Sequence, residues 1–225
     1  GITCVKSLMG NNWVDQSENM FLGPIHDLMV EIHGYGSKFF LQIGAGFGRV
    51  LVMPKELKKV MNNKVLGKMI GTDKLLVAPT DNMPNVWDPK VLQRAMTEEE
   101  IQDIIQGFAK AAALCKRAGI DGIEIHAVHE GYLLDQFAIS FFNRRTDEYG
   151  GSLENRLRII REIVEAIKGA CGPDFPVSMR YIVKSYVKDF NRGAIPGEEF
   201  EERGRDYEES FIVAKKLEEF GYDML

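Results

Sequence analysis

The alternation of short apolar runs with longer amphipathic segments is the feature that most restricts how this 225-residue chain can fold. The apolar runs have the length of strands buried in a sheet, whereas the amphipathic segments have the length and the 3.6-residue spacing of helices. Repeated units of this kind are typical of α/β folds that are built around a parallel sheet. The pattern therefore predicts successive βαβ units along the chain.

Five strands and several helices can be placed from this pattern. The strands are predicted at 2–5, 38–43, 122–126 and 177–181, with a last one opening at 221–225. The helices are predicted at about 24–35, 97–117, 131–139, 153–168 and 206–220, and a Thr97–Glu100 capping box opens the second of these. Helical spacing marks the residues expected to face inward in the first and last long helices: Ile25, Leu28, Met29 and Ile32, then Phe211, Ala214 and Leu217.

Long segments with little periodicity follow the strands, at 44–95 and 184–204. Long loops after parallel strands are typical of a (β/α)8 TIM barrel, where they build the active site. The glycines of 44–48 lack the G-x-G-x-x-G spacing of a nucleotide-binding doubly wound sheet. Because five strands cannot close an eight-stranded barrel, residues 1–225 are expected to form an incomplete barrel. It would contain about strands two to six, without the first, seventh and eighth strands, and would be a piece of a longer protein.

Charge and cysteine content exclude several classes of partner. There are 28 Lys and Arg residues against 33 Asp and Glu residues, a net charge of −5, so no overall basic field exists to hold nucleic acid or an anionic membrane. No apolar run has the length of a membrane span. The three cysteines, Cys4, Cys115 and Cys171, are odd in number and far apart in the sequence, which favours a reducing, cytoplasmic setting. Neither a nucleic acid nor a membrane is therefore expected as a partner.

The segment that leaves the predicted strand 122–126 concentrates reactive side chains: His126, His129, Glu130 and Tyr132. Imidazoles can donate hydrogen bonds to a carbonyl oxygen, and a phenol can deliver a proton to carbon, a combination that suits enolate chemistry. Two other interpretations stay open at this point. His126 could be a hydrogen-bonded core residue with Tyr132 packed beside it, or His126 and His129 could bind zinc together with carboxylates.

Two longer motifs carry a family resemblance. The run HAVHEGYLLDQF at 126–137 and the run NRRTDEYGGSLENR at 143–156 resemble the signature of the Old Yellow Enzyme family of flavin-dependent ene-reductases. The runs LQIGAGFGR at 41–49 and PGEEF at 196–200 are similar to the branch of clostridial enoate reductases and 2,4-dienoyl-CoA reductases.

The resemblance implies a role for individual positions. Gln42 matches the residue that hydrogen-bonds the flavin's pyrimidine edge, and Arg180 matches the arginine near flavin N1 and O2. His126 and His129 match the pair that clamps the substrate's carbonyl oxygen, and Tyr132 matches the proton donor. Glu130 departs from the common H-x-x-H-G-Y pattern by inserting one residue, which leaves the separate roles of His129 and Glu130 open.

The implied activity is FMN-dependent, NAD(P)H-driven reduction of a C=C bond conjugated to a carbonyl group, in a small-molecule substrate such as an enoate, an enoyl-CoA or an enone. A longer parent protein would also admit a [4Fe–4S] centre and FAD, neither of which can be assigned to this segment, and a homo-oligomer. The alternatives are a metal-dependent TIM-barrel hydrolase and a truncated barrel fragment without catalysis.

Several arginines are expected to act outside the chemistry. The polar segment from Arg145 to Arg156 is predicted to fix a loop beneath the active site through charged hydrogen bonds. Arg192, Arg203 and Arg205 are predicted to lie in solvent or to line a lid.

Overall fold

The computed structural model describes residues 2–3, 18–52, 55, 59–60, 65, 76–127 and 132–225. The elements within these ranges are, in chain order, β1 (Ile2–Thr3), α1 (Glu18–Gly34), β2 (Phe40–Gly44), a 3-10 turn (Gly48–Val50), β3 (Val77–Ala78), β4 (Met83–Pro84), β5 (Leu92–Ala95), α2 (Glu98–Arg117), β6 (Gly122–His126), α3 (Leu133–Ala138), α4 (Leu153–Cys171), β7 (Val177–Arg180), β8 (Val187–Asp189), β9 (Arg192–Gly193) and α5 (Tyr207–Phe220).

The main sheet has the strand order β1-β2-β6-β7, and all of its neighbouring strands are parallel. A parallel bridge between Ser178 and Met224 continues the sheet beyond β7, as the predicted last strand requires. The spatial order thus follows the chain order without the reversal that characterises a doubly wound sheet. Successive parallel strands joined by helices are the pattern of a barrel wall.

Helices α2 and α4 cover the sheet and pack against each other. The predicted capping box is confirmed, because Thr97 Oγ1 accepts from the Glu100 amide and Glu100 accepts from the Thr97 amide. The inward face of α2 is buried as its spacing predicts, with Ile101 and Phe108 fully inaccessible. At its end, Gly119 adopts a φ of +91°, a conformation that favours glycine.

Two cysteines lie in this packed layer. Cys115 and Cys171 are free thiols, and both are buried. Burial, together with the proximity of Cys171, raises the pKa of the Cys115 thiol to about 12. The side chain of Cys115 therefore acts as a small apolar group at neutral pH.

Two helices differ from their predictions. Helix α1 begins at Glu18, so that Pro24 lies in its second turn and not at its start, where proline is favoured. The predictions that Leu28 and Phe211 face inward are wrong, since these side chains are 44% and 68% exposed. The buried stripe of α5 consists of Ser210, Val213 and Leu217, which places Phe211 about 100° away from it around the helix axis.

The two long segments after strands contain short strands that periodicity did not indicate. In the first, β3 pairs parallel and β4 antiparallel with the central strand β5. In the second, β8 and β9 form an antiparallel hairpin. Strands of two to four residues are too short to produce an alternating pattern.

Asp121 ties α1 to the start of β6. Its carboxylate accepts hydrogen bonds from His33 Nε2 at 2.8 Å, Lys38 Nζ at 2.9 Å and the Phe39 amide at 2.9 Å. Burial disfavours the ionised carboxyl, but these three donors outweigh it and lower the pKa of Asp121 to about 2. The residue lies at the amino end of its strand, the barrel face that is associated with stability and not with catalysis.

We predict that Asp121→Asn lowers the free energy of unfolding at pH 7 by about 1–3 kcal/mol, the scale of hydrogen bonds to a charged group. A carboxyl with a depressed pKa stabilises the fold above its unfolded value of 3.8 and loses that contribution as the pH falls towards 2. Urea titrations of the full-length protein should therefore show parent and variant converging below pH 4. Asp103→Asn, on the exposed face of α2, is the control, and an equal loss there would contradict the assignment.

Candidate active site

The carboxyl ends of β2, β6 and β7 bring the predicted site residues to one edge of the sheet. Gln42 lies on β2 and is the register partner of Glu124 on β6. His126 ends β6 and is the register partner of Arg180, which ends β7. Because the three strands are parallel and in neighbouring positions, these side chains lie on one face of the sheet, towards the same rim.

A hydrogen-bonded chain connects β2 with β6. Nδ1 of His126 lies 2.9 Å from Oε1 of Gln42, and Nε2 of Gln42 donates to Oε1 of Glu124. Glu124 is a site residue that the sequence analysis did not single out. Its position two residues before His126, on the same face of the strand, was the available signal.

Tyr132 follows β6 in the chain, and its side chain lies beside His126. It is the N-cap residue of α3, and its ring meets the His126 ring edge-on, with the centroids 4.3 Å apart. The ring centroid of Phe47, from the loop after β2, lies 5.7 Å from that of Tyr132. The predicted neighbours His129 and Glu130 lie outside the described residues, so their roles stay predictions.

Arg180 presents a positive charge at this rim. Its side chain is exposed, and among the residues that the structure describes it forms no ion pair. A guanidinium in this position can receive an anionic group from a ligand without first breaking an internal contact.

The amide of Gln42 suits a ring edge that carries one N–H and one C=O. A glutamine amide has two donor hydrogens and two acceptor lone pairs. Glu124 uses one of the donors, and His126 occupies one of the acceptors. One of each is left over, so this amide can pair with a ligand edge that carries one donor and one acceptor.

The polar segment after α3 acts as a support, as predicted. Arg145 donates to the carbonyls of Pro79 and Met96 and pairs with Asp147. Asn143 and Arg156 bond in the same way to backbone carbonyls, those of Phe137 and Tyr149 for Asn143 and those of Ala138 and Gly151 for Arg156. The bonds of Arg145 join this segment to the connection between β2 and α2, whereas those of Asn143 and Arg156 fix the shape of the segment between β6 and α4 itself.

The prediction that Arg205 lies in solvent or lines a lid is wrong. Its side chain is 2% exposed and donates to Asp135 Oδ1 at 3.0 Å and to the Ile182 carbonyl at 3.2 Å. The guanidinium also stands 5.1 Å from the ring centre of Tyr181. Arg192 and Arg203 are exposed, as the solvent alternative predicts.

The Asp135–Arg205 pair connects the two halves of the site. Asp135 belongs to α3, three residues after Tyr132, and Ile182 lies two residues after Arg180. The ion pair therefore fixes the helix that carries the phenol against the segment that follows the guanidinium.

Arg49 is a second buried arginine that the sequence analysis did not assign. It is fully inaccessible, donates to the Pro84 carbonyl and to Asn191, and stands 4.9 Å from the ring centre of Phe142. These partners belong to the loops that follow β2, β6 and β7. Arg49 thus holds together the loops around the rim.

In the described part of the chain, no group of three or more His, Cys, Asp or Glu side chains could hold a metal ion. Of the helices in the same ranges, none is both long and apolar enough to cross a bilayer.

Known proteins share this sequence over most of its length. The profile of the NADH:flavin oxidoreductase / NADH oxidase family matches residues 23–214. The cinnamate reductase of Clostridium sporogenes is 50% identical over 205 residues, which are 91% of this chain and 28% of that protein. The NADH oxidase of Thermoanaerobacter brockii is 34% identical over 209 residues, which are 92% of this chain and 27% of that protein. The chain thus spans about a quarter of the length of these curated relatives.

A solved structure supports the fold directly. The old yellow enzyme homologue from Zymomonas mobilis matches with a TM-score of 0.62 and 25% identity, over 94% of this chain and 53% of that one. This similarity confirms the incomplete (β/α)8 barrel that the strand order indicates.

We predict that Asp135→Leu lowers the free energy of unfolding by about 3–5 kcal/mol, because it leaves the Arg205 charge buried without its partner. The double variant Asp135→Leu/Arg205→Met should recover most of that loss, since neither charge is then buried. Urea titrations of the full-length protein measure both values. A double variant as unstable as the single one would contradict the buried-pair assignment.

Proposed function

Because the chain belongs to the NADH:flavin oxidoreductase / NADH oxidase family, we propose that the protein reduces a C=C bond conjugated to a carbonyl group, with FMN bound at the rim and NAD(P)H as electron donor. Membership agrees with the Old Yellow Enzyme resemblance of the sequence motifs. We propose further that residues 1–225 are part of the FMN-binding barrel domain of a longer enzyme.

The observation that carries the proposal is the meeting of an imidazole, a phenol and an amide at one rim, with a guanidinium on the next strand end. His126 contacts both Gln42 and Tyr132, and Arg180 is its register partner. Each of these groups suits one task in the reduction of an activated alkene.

Gln42 and Arg180 are the residues that would hold the cofactor. The remaining donor and acceptor of the Gln42 amide would pair with the pyrimidine edge, and the Arg180 charge would stabilise negative charge on the same ring system. When bound, reduced FMN supplies the hydride that is added to the β-carbon of the substrate.

His126 and Tyr132 would act on the substrate. His126, together with His129, would donate hydrogen bonds to the carbonyl oxygen and stabilise the charge that moves there as the β-carbon is reduced. The Tyr132 hydroxyl would then give its proton to the α-carbon. The electron pair of the former C=C bond forms the new C–H bond at that carbon, so the product is the saturated acid, thioester or ketone.

An enoate is the substrate class that we favour among these. The relative that is 50% identical over 91% of the chain is named a cinnamate reductase, and a cinnamate is an aromatic enoate. Imidazole and guanidinium groups at the rim are also suitable partners for a substrate that carries a carboxylate.

The test of the proposal is anaerobic turnover by the full-length enzyme, with NADH or NADPH, of cinnamate, crotonyl-CoA and cyclohexenone. We expect the enzyme to carry a flavin absorbance and to oxidise NAD(P)H in proportion to the alkene that disappears, fastest with cinnamate. A protein without flavin, or one that reduces none of the three, would refute the proposed function. Preference for one of the other two compounds would reject only the enoate assignment.

We predict that Tyr132→Phe slows reoxidation of the reduced flavin by cinnamate about 10²- to 10⁴-fold, the usual scale of general-acid catalysis. Reduction of the flavin by NAD(P)H should be unchanged, because that step needs no proton at the α-carbon. Stopped-flow absorbance measures the two half-reactions separately.

Tyr222→Phe is the matched control for this substitution. It removes a buried hydroxyl that donates to the Ile160 carbonyl at 2.9 Å, away from the rim. The rates of both half-reactions should stay unchanged. A Tyr132→Phe enzyme that is reoxidised at the parent rate would eliminate Tyr132 as the proton donor.

A further inference from the structure

Glu124 and His126 are connected through one intervening side chain. The two residues lie on the same face of β6, and Gln42 of β2 stands between them. Nε2 of Gln42 donates to the Glu124 carboxylate, and Oε1 of Gln42 lies 2.9 Å from Nδ1 of His126. The three side chains form one hydrogen-bonded chain in the order Glu124, Gln42, His126.

The chemistry of this chain allows one direction of donation. An ionised carboxylate accepts hydrogen bonds but cannot donate, so the NH₂ end of the Gln42 amide must face Glu124. The carbonyl end of the same amide must then face His126. Because a carbonyl oxygen only accepts, Nδ1 of His126 must carry a proton. This orientation of the amide follows from the carboxylate being an acceptor only.

The position of that proton decides what the other ring nitrogen can do. In a neutral imidazole with its proton on Nδ1, Nε2 is an acceptor and cannot bond to a carbonyl oxygen. In the imidazolium, Nε2 becomes a donor while Nδ1 keeps its bond to Gln42. Polarisation of a carbonyl through Nε2 therefore requires the charged ring.

We propose that Glu124 is a positioning residue which, through Gln42, fixes a proton on Nδ1 of His126 and stabilises the imidazolium that binds the substrate's carbonyl oxygen. The second part of this proposal rests on the proposed function, whereas the first part does not. Among the residues that the structure describes, the charged and titratable groups that face His126 are Glu124 on its own strand, Arg180 on β7 and Tyr132 at the N-cap of α3. The Arg180 charge opposes protonation of the ring, and the Glu124 charge offsets that effect.

The first test observes the imidazole directly. Long-range ¹H–¹⁵N spectra of the full-length protein labelled with ¹⁵N-histidine distinguish protonated from unprotonated ring nitrogens, and the His126→Gln variant identifies the His126 signals by their loss. We expect the neutral His126 ring to carry its proton on Nδ1. In Glu124→Gln we expect a mixture of both neutral forms and a titration midpoint lower by about one pH unit, the scale of losing a nearby opposite charge.

A matched control pair lies between helices α2 and α4, away from the rim. Glu162 also accepts from a glutamine, Gln102 Nε2 at 3.3 Å, and from the Tyr149 hydroxyl at 2.8 Å. Glu162→Gln makes the same chemical change in a second Gln–Glu pair and should leave the His126 spectrum unchanged. A neutral parent ring with its proton on Nε2, or a Glu124→Gln spectrum identical to that of the parent, would overturn the proposal.

The second test is the pH profile of flavin reoxidation by cinnamate. In the parent we expect the rate to fall about tenfold per pH unit above the His126 midpoint, and the Glu124→Gln profile to shift by the same amount as the imidazole titration. A profile that does not move although the titration has moved would overturn the catalytic half of the proposal. If the spectra agree with expectation but the parent reduces no alkene, the proposed function fails and the assignment of the Nδ1 proton to Glu124 is supported alone.

Discussion

The parallel register of β2, β6 and β7 is the constraint on which the rest of the structure depends. Side chains alternate across a strand, so the register that buries Ile43, Ile123 and Ile125 completely also turns Gln42, Glu124 and His126 to the opposite face. A slip of one residue would exchange the two sets and place charged groups under the helices. The same alignment therefore supplies both the core and the polar rim.

Charged groups with different tasks occupy different places in this arrangement. Asp121 stabilises the amino end of β6 through donors from α1 and from the start of β2, and Arg49, Arg145 and Arg205 hold the loops at the carboxyl end. The three arginines are nearly inaccessible, and each uses carbonyl oxygens as well as a side-chain partner. Such bonds restrict loop geometry more than they add stability, because burying the charges is itself costly.

The sequence predicted those features that depend on local pattern. Strand β6 was placed with the bounds that it has, and the Thr97 capping box, the inward face of α2 and the supporting role of Arg145 are confirmed. The pattern could not predict the burial of Arg205, because an isolated arginine in a loop carries no sign of a distant Asp135 partner. The prediction that Phe211 faces inward was wrong for a related reason. In a helix with apolar residues on more than one side, the sequence does not show which side is buried. Within the site, the family resemblance pointed to Gln42, His126 and Tyr132, whereas Glu124, which the sequence analysis did not single out, is identified by its contact with Gln42.

That contact explains why a carboxylate can stand in the middle of a parallel strand. A half-buried carboxylate needs donors, and the backbone amides beside it are already used by the sheet. Its register partner Gln42 supplies one, and in doing so the amide is oriented with its carbonyl towards His126. Replacing Gln42 by an apolar residue would leave Glu124 without this donor and His126 without its acceptor. The same glutamine therefore lowers the cost of placing Glu124 in the strand and determines which ring nitrogen of His126 carries the proton. The pairing of β2 with β6 is thus a requirement of the site as well as of the fold.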